Sequence, residues 1–204
     1  MEPAASSLSA WQTFYMIVGS SAGALTGLQF VVVALTSQSS TVRRSEPALL
    51  AFGSPTIVHF CAVLLSAAIL SVPWASLTAA GVALTLCAAG GVGYTAVVIG
   101  RAWRLRDYDP VLEDWLWHAL FPAAGYLGQL VAGVTLPVHP ATALLVMGAA
   151  ALLLIFTGIH NALDAAAYIA TAEQRAEAKG DAAPPPDAPA GRPGKPDTRR
   201  GEPR

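Results

Sequence analysis

Apolar residues in this chain fall in long blocks rather than in short alternations. Five blocks cover residues 11–36, 49–72, 74–100, 115–136 and 141–170, and among them the one charged side chain is Asp164. A helix rises about 1.5 Å per residue and bilayer hydrocarbon is about 30 Å thick, so about 20 apolar residues make a crossing. Every block meets that length. The pattern predicts an all-α fold, a polytopic membrane bundle of five transmembrane helices. Pro73, in Val72-Pro73-Trp74, separates the second block from the third, and Pro137 and Pro140 bracket the junction of the last two. Proline disfavours helix in the residue before it, so both junctions read as tight turns between antiparallel neighbours.

Composition agrees with this reading and extends it. The 204 residues are 54% hydrophobic and 12% charged, with a mean hydropathy of +0.51. A soluble domain carries about 25% charged residues. A net charge of −1 gives no reason to expect nucleic acid as a partner; the expected surroundings are the lipid bilayer, with a membrane-protein partner or a homo-oligomer left open. From residue 172 the character changes. Residues 173–204 hold seven of the fifteen prolines and no aromatic residue, a composition unable to bury a core. The division expected is a transmembrane domain over 1–171 and a disordered cytoplasmic tail over 172–204. The N-terminus has no basic residue before its first apolar block, which reads as a retained helix rather than a cleaved signal.

Basic residues orient the bundle. Arg43 and Arg44 lie between the first and second blocks, Arg101, Arg104 and Arg106 between the third and fourth, and the other seven in the tail. With five spans these places share one side, which an excess of Lys and Arg marks as cytoplasmic. The N-terminus is then expected outside and the C-terminus inside.

Polar residues within the blocks are the candidates for function. His59 falls near mid-membrane; His118 and His160 fall nearer the cytoplasmic surface, and His139 in an outer turn. His160 and Asp164 are four apart and share a helical face. Pro122 cannot donate to the carbonyl of His118, and Gly53-Ser54-Pro55 is expected to break the second helix one turn before His59. Loosened backbone beside polar side chains suits a cavity, and ionisable groups in a membrane mark a site by default because they are costly there. A haem or transition metal would use His59 and His160 as cofactor ligands, or His59, His118, His160 and Asp164 as a metal set. Gln29 and Asn161 extend the polar cluster. The competing reading gives these residues interhelical hydrogen bonds and interfacial positions only.

Other motifs carry less. Gly19, Gly23 and Gly27 recur every fourth residue in the first block, a groove that admits a neighbouring backbone; this helix is expected to be the central packing element, its groove filled from the same chain. Gly19-Ser20-Ser21-Ala22-Gly23 matches a nucleophile-elbow pattern, but such an elbow needs a strand-to-helix turn. Glu113 and Asp114 precede a helix start, where acids are favoured by the dipole. Cys61 and Cys87 lie inside apolar blocks and behave as small hydrophobes.

The first block, with Trp11, Phe14 and Tyr15 followed by Gly23-Ala24-Leu25-Thr26-Gly27-Leu28-Gln29-Phe30-Val31, resembles the start of a group of small, uncharacterised bacterial multi-pass membrane proteins. Gly158-Ile159-His160-Asn161-Ala162-Leu163-Asp164 resembles the same group near its end, with Leu163 where an aromatic is expected. The resemblance implies a bacterial inner-membrane protein and brings no activity or ligand set. The function expected is a non-enzymatic structural, interaction or modulator role. A haem- or metal-binding protein is the alternative, and a small transporter comes third because no inverted repeat is visible.

Overall fold

The computed structural model describes residues 2–37, 46–102 and 115–181. All of the secondary structure in them is helical. The elements are α1 (Glu2–Ser37), α2 (Glu46–Ser71), α3 (Leu77–Ala102), a π-helical turn (Leu116–Leu120) leading into α4 (Phe121–Thr135), and α5 (Pro140–Asp181). Three stretches are long and apolar enough to cross a membrane: Leu8–Ala34 in α1, Leu77–Gly100 in α3 and Pro140–Ala167 in α5. Among the described residues, Pro55–Ser71 of α2 forms a shorter apolar helix.

Both proline-marked junctions are turns. At the first, Trp74 N donates to Val72 O at 2.8 Å. The Trp74 indole donates to Ile69 O at 2.6 Å, a carbonyl at the end of α2 that also accepts from Val72 N at 3.2 Å. At the second, Val138 N and His139 N both donate to Thr135 O. Pro140 then opens α5, where its missing N–H is not needed. His139 is exposed in this turn.

The prolines inside the spans behave differently from each other. Before Pro122 the helix widens, and Phe121 N donates to Leu116 O, five residues back. Proline cannot bond the carbonyl four residues behind it, and the wider turn accommodates that loss just where His118 sits. Pro55, expected to break α2, does not: the helix runs through it from Glu46 to Ser71. Pro55 forgoes its own bond, and the helix absorbs that loss without breaking.

α5 is the central element. Over its spanning window 56% of residues are buried, against 22% for α1 and for α3. This corrects the expectation that α1 sits at the centre. The glycines of α1 make one close seam. A Cβ at Gly19 would come 2.8 Å from Ala67 Cβ in α2, one at Gly23 would meet Leu64 at 3.8 Å, and Gly27 faces open space. The groove is filled from the same chain at Gly19 and Gly23 and stays open at Gly27. α5 carries small residues on several faces: a Cβ at Gly148 would meet the Phe14 ring of α1, and one at Gly158 the Phe60 ring of α2. α5 also continues to Asp181, beyond the boundary expected near 172; residues 182–204 lie outside the described residues, as do Arg43, Arg44, Arg104 and Arg106.

Two apolar clusters stack along the bundle. At the end with the two turns, Tyr15, Leu70, Leu84, Leu136, Leu144 and Met147 pack together, and Tyr15 Oη donates to Leu144 O at 2.6 Å. Beyond them Val18, Ala22, Val63, Tyr126, Leu154 and Ile155 form the second. α3 and α4 meet almost backbone to backbone, since a Cβ at Gly81 would come 2.7 Å from Gly133 O. A Cβ at Gly91 would fall inside the space of the Tyr126 ring, whereas Gly90 and Gly93 face open space. Gly91→Ala is therefore expected to lower stability by about 1–3 kcal/mol through overpacking, with Gly90→Ala and Gly93→Ala neutral or slightly favourable; reversible unfolding of the three variants in detergent micelles measures the difference.

Candidate functional site: a buried polar layer

Beyond the second apolar cluster, towards the end away from the turns, the interior becomes polar. Gln29 of α1, Thr56 and His59 of α2, and Thr157 and Asn161 of α5 are all buried. Helix register brings them level. α1 and α2 run antiparallel with Gly19 opposite Ala67 and Gly23 opposite Leu64; continuing that register sets Gln29 abreast of residues 57 and 58. α5 and α2 are also antiparallel, with Gly158 against Phe60, and three residues on, Asn161 stands abreast of residue 57. Asn161 shares a face with Gly158, one turn away, and so turns towards α2. There Thr56 and His59, three apart, share the opposing face.

His59 is held by α4. Its Nδ1 lies 2.9 Å from Tyr126 Oη, a buried hydrogen bond between rings whose centroids are 5.6 Å apart. Tyr126 is fully buried, and its ring rests where Gly91 has no side chain. His118, on the π-turn, is in electrostatic reach of His59.

The layer is unevenly satisfied. Thr157 Oγ1 donates to Leu153 O within its own helix at 2.8 Å, the usual solution for a hydroxyl on an apolar helix. Asn161 has no such solution: its Oδ1 and Nδ2 are both buried without a hydrogen-bond partner. A buried amide left unpaired costs about 1–3 kcal/mol by mutational measures. One residue earlier, His160 stacks on Trp117 of the π-turn at a centroid distance of 3.8 Å and 18° between planes. His160 Nε2 is 3.0 Å from Asp164 Oδ2, close but without the geometry of a hydrogen bond. The Asp164 side chain is 57% exposed against 25% for His160, so the pair leads from the interior to the surface.

A second polar contact lies nearer the turns. Ser66 Oγ donates to Gln129 Oε1 at 3.4 Å and lies 3.9 Å from Cys87 Sγ; Gln129 Nε2 is buried and unpaired.

Of the residues singled out in the sequence, His160 and Asp164 are paired, His59 and His118 are in electrostatic reach, and Gln29 and Asn161 are buried at the level of His59. Gly19 and Gly23 pack on α2, and Gly27 does not. Among the described residues no group of three or more His, Cys, Asp and Glu side chains is gathered closely enough to hold a metal ion. Tyr126, Trp117 and Gln129 were not singled out as site residues. Trp117 reads in sequence as part of an interfacial belt; Tyr126 had a signal, a phenol in mid-span where aromatic belts do not reach. Compared with protein-family models, curated proteins and solved structures, the chain matches none of them.

Coupling between His59 and Tyr126 is measurable. A double-mutant cycle of His59→Leu and Tyr126→Phe should return an interaction energy of about 0.6 kcal/mol and not above about 1.7 kcal/mol, the range for such bonds between membrane helices. Unfolding titrations of the four proteins in mixed micelles give the number; additivity would mean that the bond contributes nothing.

Proposed function

We propose that this chain is a five-span protein of the bacterial inner membrane whose buried polar layer serves a structural or partner-contacting role rather than catalysis. The observation that carries the reading is the commitment of the layer's histidine: His59 is bonded to Tyr126, inside a bundle whose outward side chains are apolar. Met16, Leu28, Phe30, Leu86, Val97, Leu145 and Phe156 are all more than half exposed, a surface suited to lipid and unsuited to water. α2 and α4 supply the two further crossings in this reading. The apolar block of α2 runs over residues 49–72, and the π-turn together with α4 covers residues 116–135.

The basic residues support an N-out, C-in orientation, since every Lys and Arg falls after the first, third or fifth block and such residues are retained on the cytoplasmic side. Resemblance of the first and last spans to bacterial multi-pass proteins supports the inner membrane. A haem or metal role draws its support from the histidines, and the hydrogen bond already made by His59 weighs against it.

Reporter fusions after Gln38, Trp74, Asp107, Val138 and Gly180 are expected to read in, out, in, out, in; an extracytoplasmic signal at Asp107 or Gly180 would overturn the orientation. Protein purified in detergent is expected to show no stoichiometric Soret band and no bound zinc, iron or copper. Finding either would put the cofactor reading first.

A further inference from the structure

Unmet hydrogen-bonding capacity in this bundle is concentrated in one place. Of the four buried side-chain atoms without a partner among the described residues, three belong to two adjacent residues: His160 Nε2, Asn161 Nδ2 and Asn161 Oδ1. Asn161 is 3% exposed, and the register set by Gly158 against Phe60 puts it on the side of α5 that meets α2, near the level of Thr56 and His59. Its amide offers a donor and an acceptor together, and the small molecule that answers both at once is water. Buried waters in proteins make about 3 hydrogen bonds each to polar groups that would otherwise go unmet.

We propose that Asn161 holds an internal water site, and that this water joins the His59–Tyr126 pair to the His160–Asp164 pair, so that protons reach His59 through the bundle. On the register set by Gly158 and Phe60, His59 lies level with residue 159 of α5. Asp164 is then five residues further along, a rise of about 7.5 Å. Hydrogen-bonded oxygen and nitrogen atoms stand about 2.8–2.9 Å apart, so a short chain of water and side chain covers the interval. Asp164, more than half exposed, is the outlet. The π-turn contributes to the same place. It brings Trp117 flat against His160, fixing one face of the imidazole and leaving its ring edge towards Asp164.

The titratable and polar groups around the level of His59 come from several helices. α4 and its π-turn bring Tyr126 and His118. Tyr126 in turn is in electrostatic reach of Tyr94 and Cys87 of α3 and of Cys61 of α2. By register, the polar groups that α5 and α1 carry nearest to this level are His160 and Asp164, and Gln29. Asp164 is the one acid among them, which makes it the natural entry point for a proton. The inference deepens the structural reading of the polar layer, but its test does not depend on topology, because both readouts are made in detergent where neither side is defined.

The test is nuclear magnetic resonance on the full chain in micelles, with nitrogen-labelled histidine and asparagine. Wild-type protein is expected to show a magnetisation transfer from water to the Asn161 side-chain amide, and solvent exchange of the His59 ring proton. Asn161→Leu keeps the shape and removes the amide; it should abolish the transfer and slow His59 exchange by about tenfold, the effect of losing one hydrogen-bonded link. Asp164→Asn, at an exposed position, should slow exchange in the same sense while retaining the water signal at Asn161. Absence of the water signal in wild type overturns the proposal without any variant. So does a folded Asn161→Leu protein that gains stability while His59 exchanges as before.

Discussion

Tyr126 is the point on which the rest of the bundle depends. One side of its ring lies against the backbone of Gly91, and its hydroxyl reaches His59. A single side chain thereby spans from α3 through α4 to α2. In a membrane the apolar effect does not drive helices together, because lipid tails are as apolar as leucine; close packing and interhelical hydrogen bonds do. Tyr126 supplies both. The glycine permits the approach, the approach places the phenol, and the phenol gives a buried imidazole a partner that it would not find in lipid.

Around this contact the bundle is layered by polarity. Towards the two turns the interior is apolar, with Tyr15 tied to a carbonyl of α5. At the opposite end it carries Gln29, Thr56, His59, Thr157 and Asn161. Thr157 settles its hydroxyl on Leu153 of its own helix and so makes little demand on neighbours. The amide of Asn161 and the ring of His160 make demands that the protein leaves unmet. This asymmetry turns a stretch of ordinary bundle packing into a place suited to solvent.

The π-turn before α4 connects covalent chemistry to that place. Pro122 removes one hydrogen bond, the ladder adjusts to a five-residue spacing, and the widened turn presents Trp117 to His160 and His118 to the neighbourhood of His59. At Pro55 the same removal of a bond has no comparable effect, and α2 continues. The difference lies in the surroundings. Pro122 and Ala119 are buried among other helices, so distortion there is held by packing, whereas helix simply continues through Pro55.

Hydrophobic blocks and turn prolines are local properties of the chain, so helices, their approximate ends and an apolar character compatible with a membrane were legible without coordinates. So was the fact that α1 packs closely along Gly19 and Gly23, because a small-residue spacing is read within one helix. Which helix stands at the centre was not legible: a seam of glycines on α1 records one neighbour, while the burial of α5 depends on how many helices surround it. The candidate residues divide in the same way. His160 and Asp164 were readable as a pair because both belong to one helix, four residues apart. The union of His59 with Tyr126, 67 residues away in sequence, and the isolation of Asn161 arise only when α2, α4 and α5 take their register, since hydrogen bonds between helices are fixed by rotation and height that no single span contains.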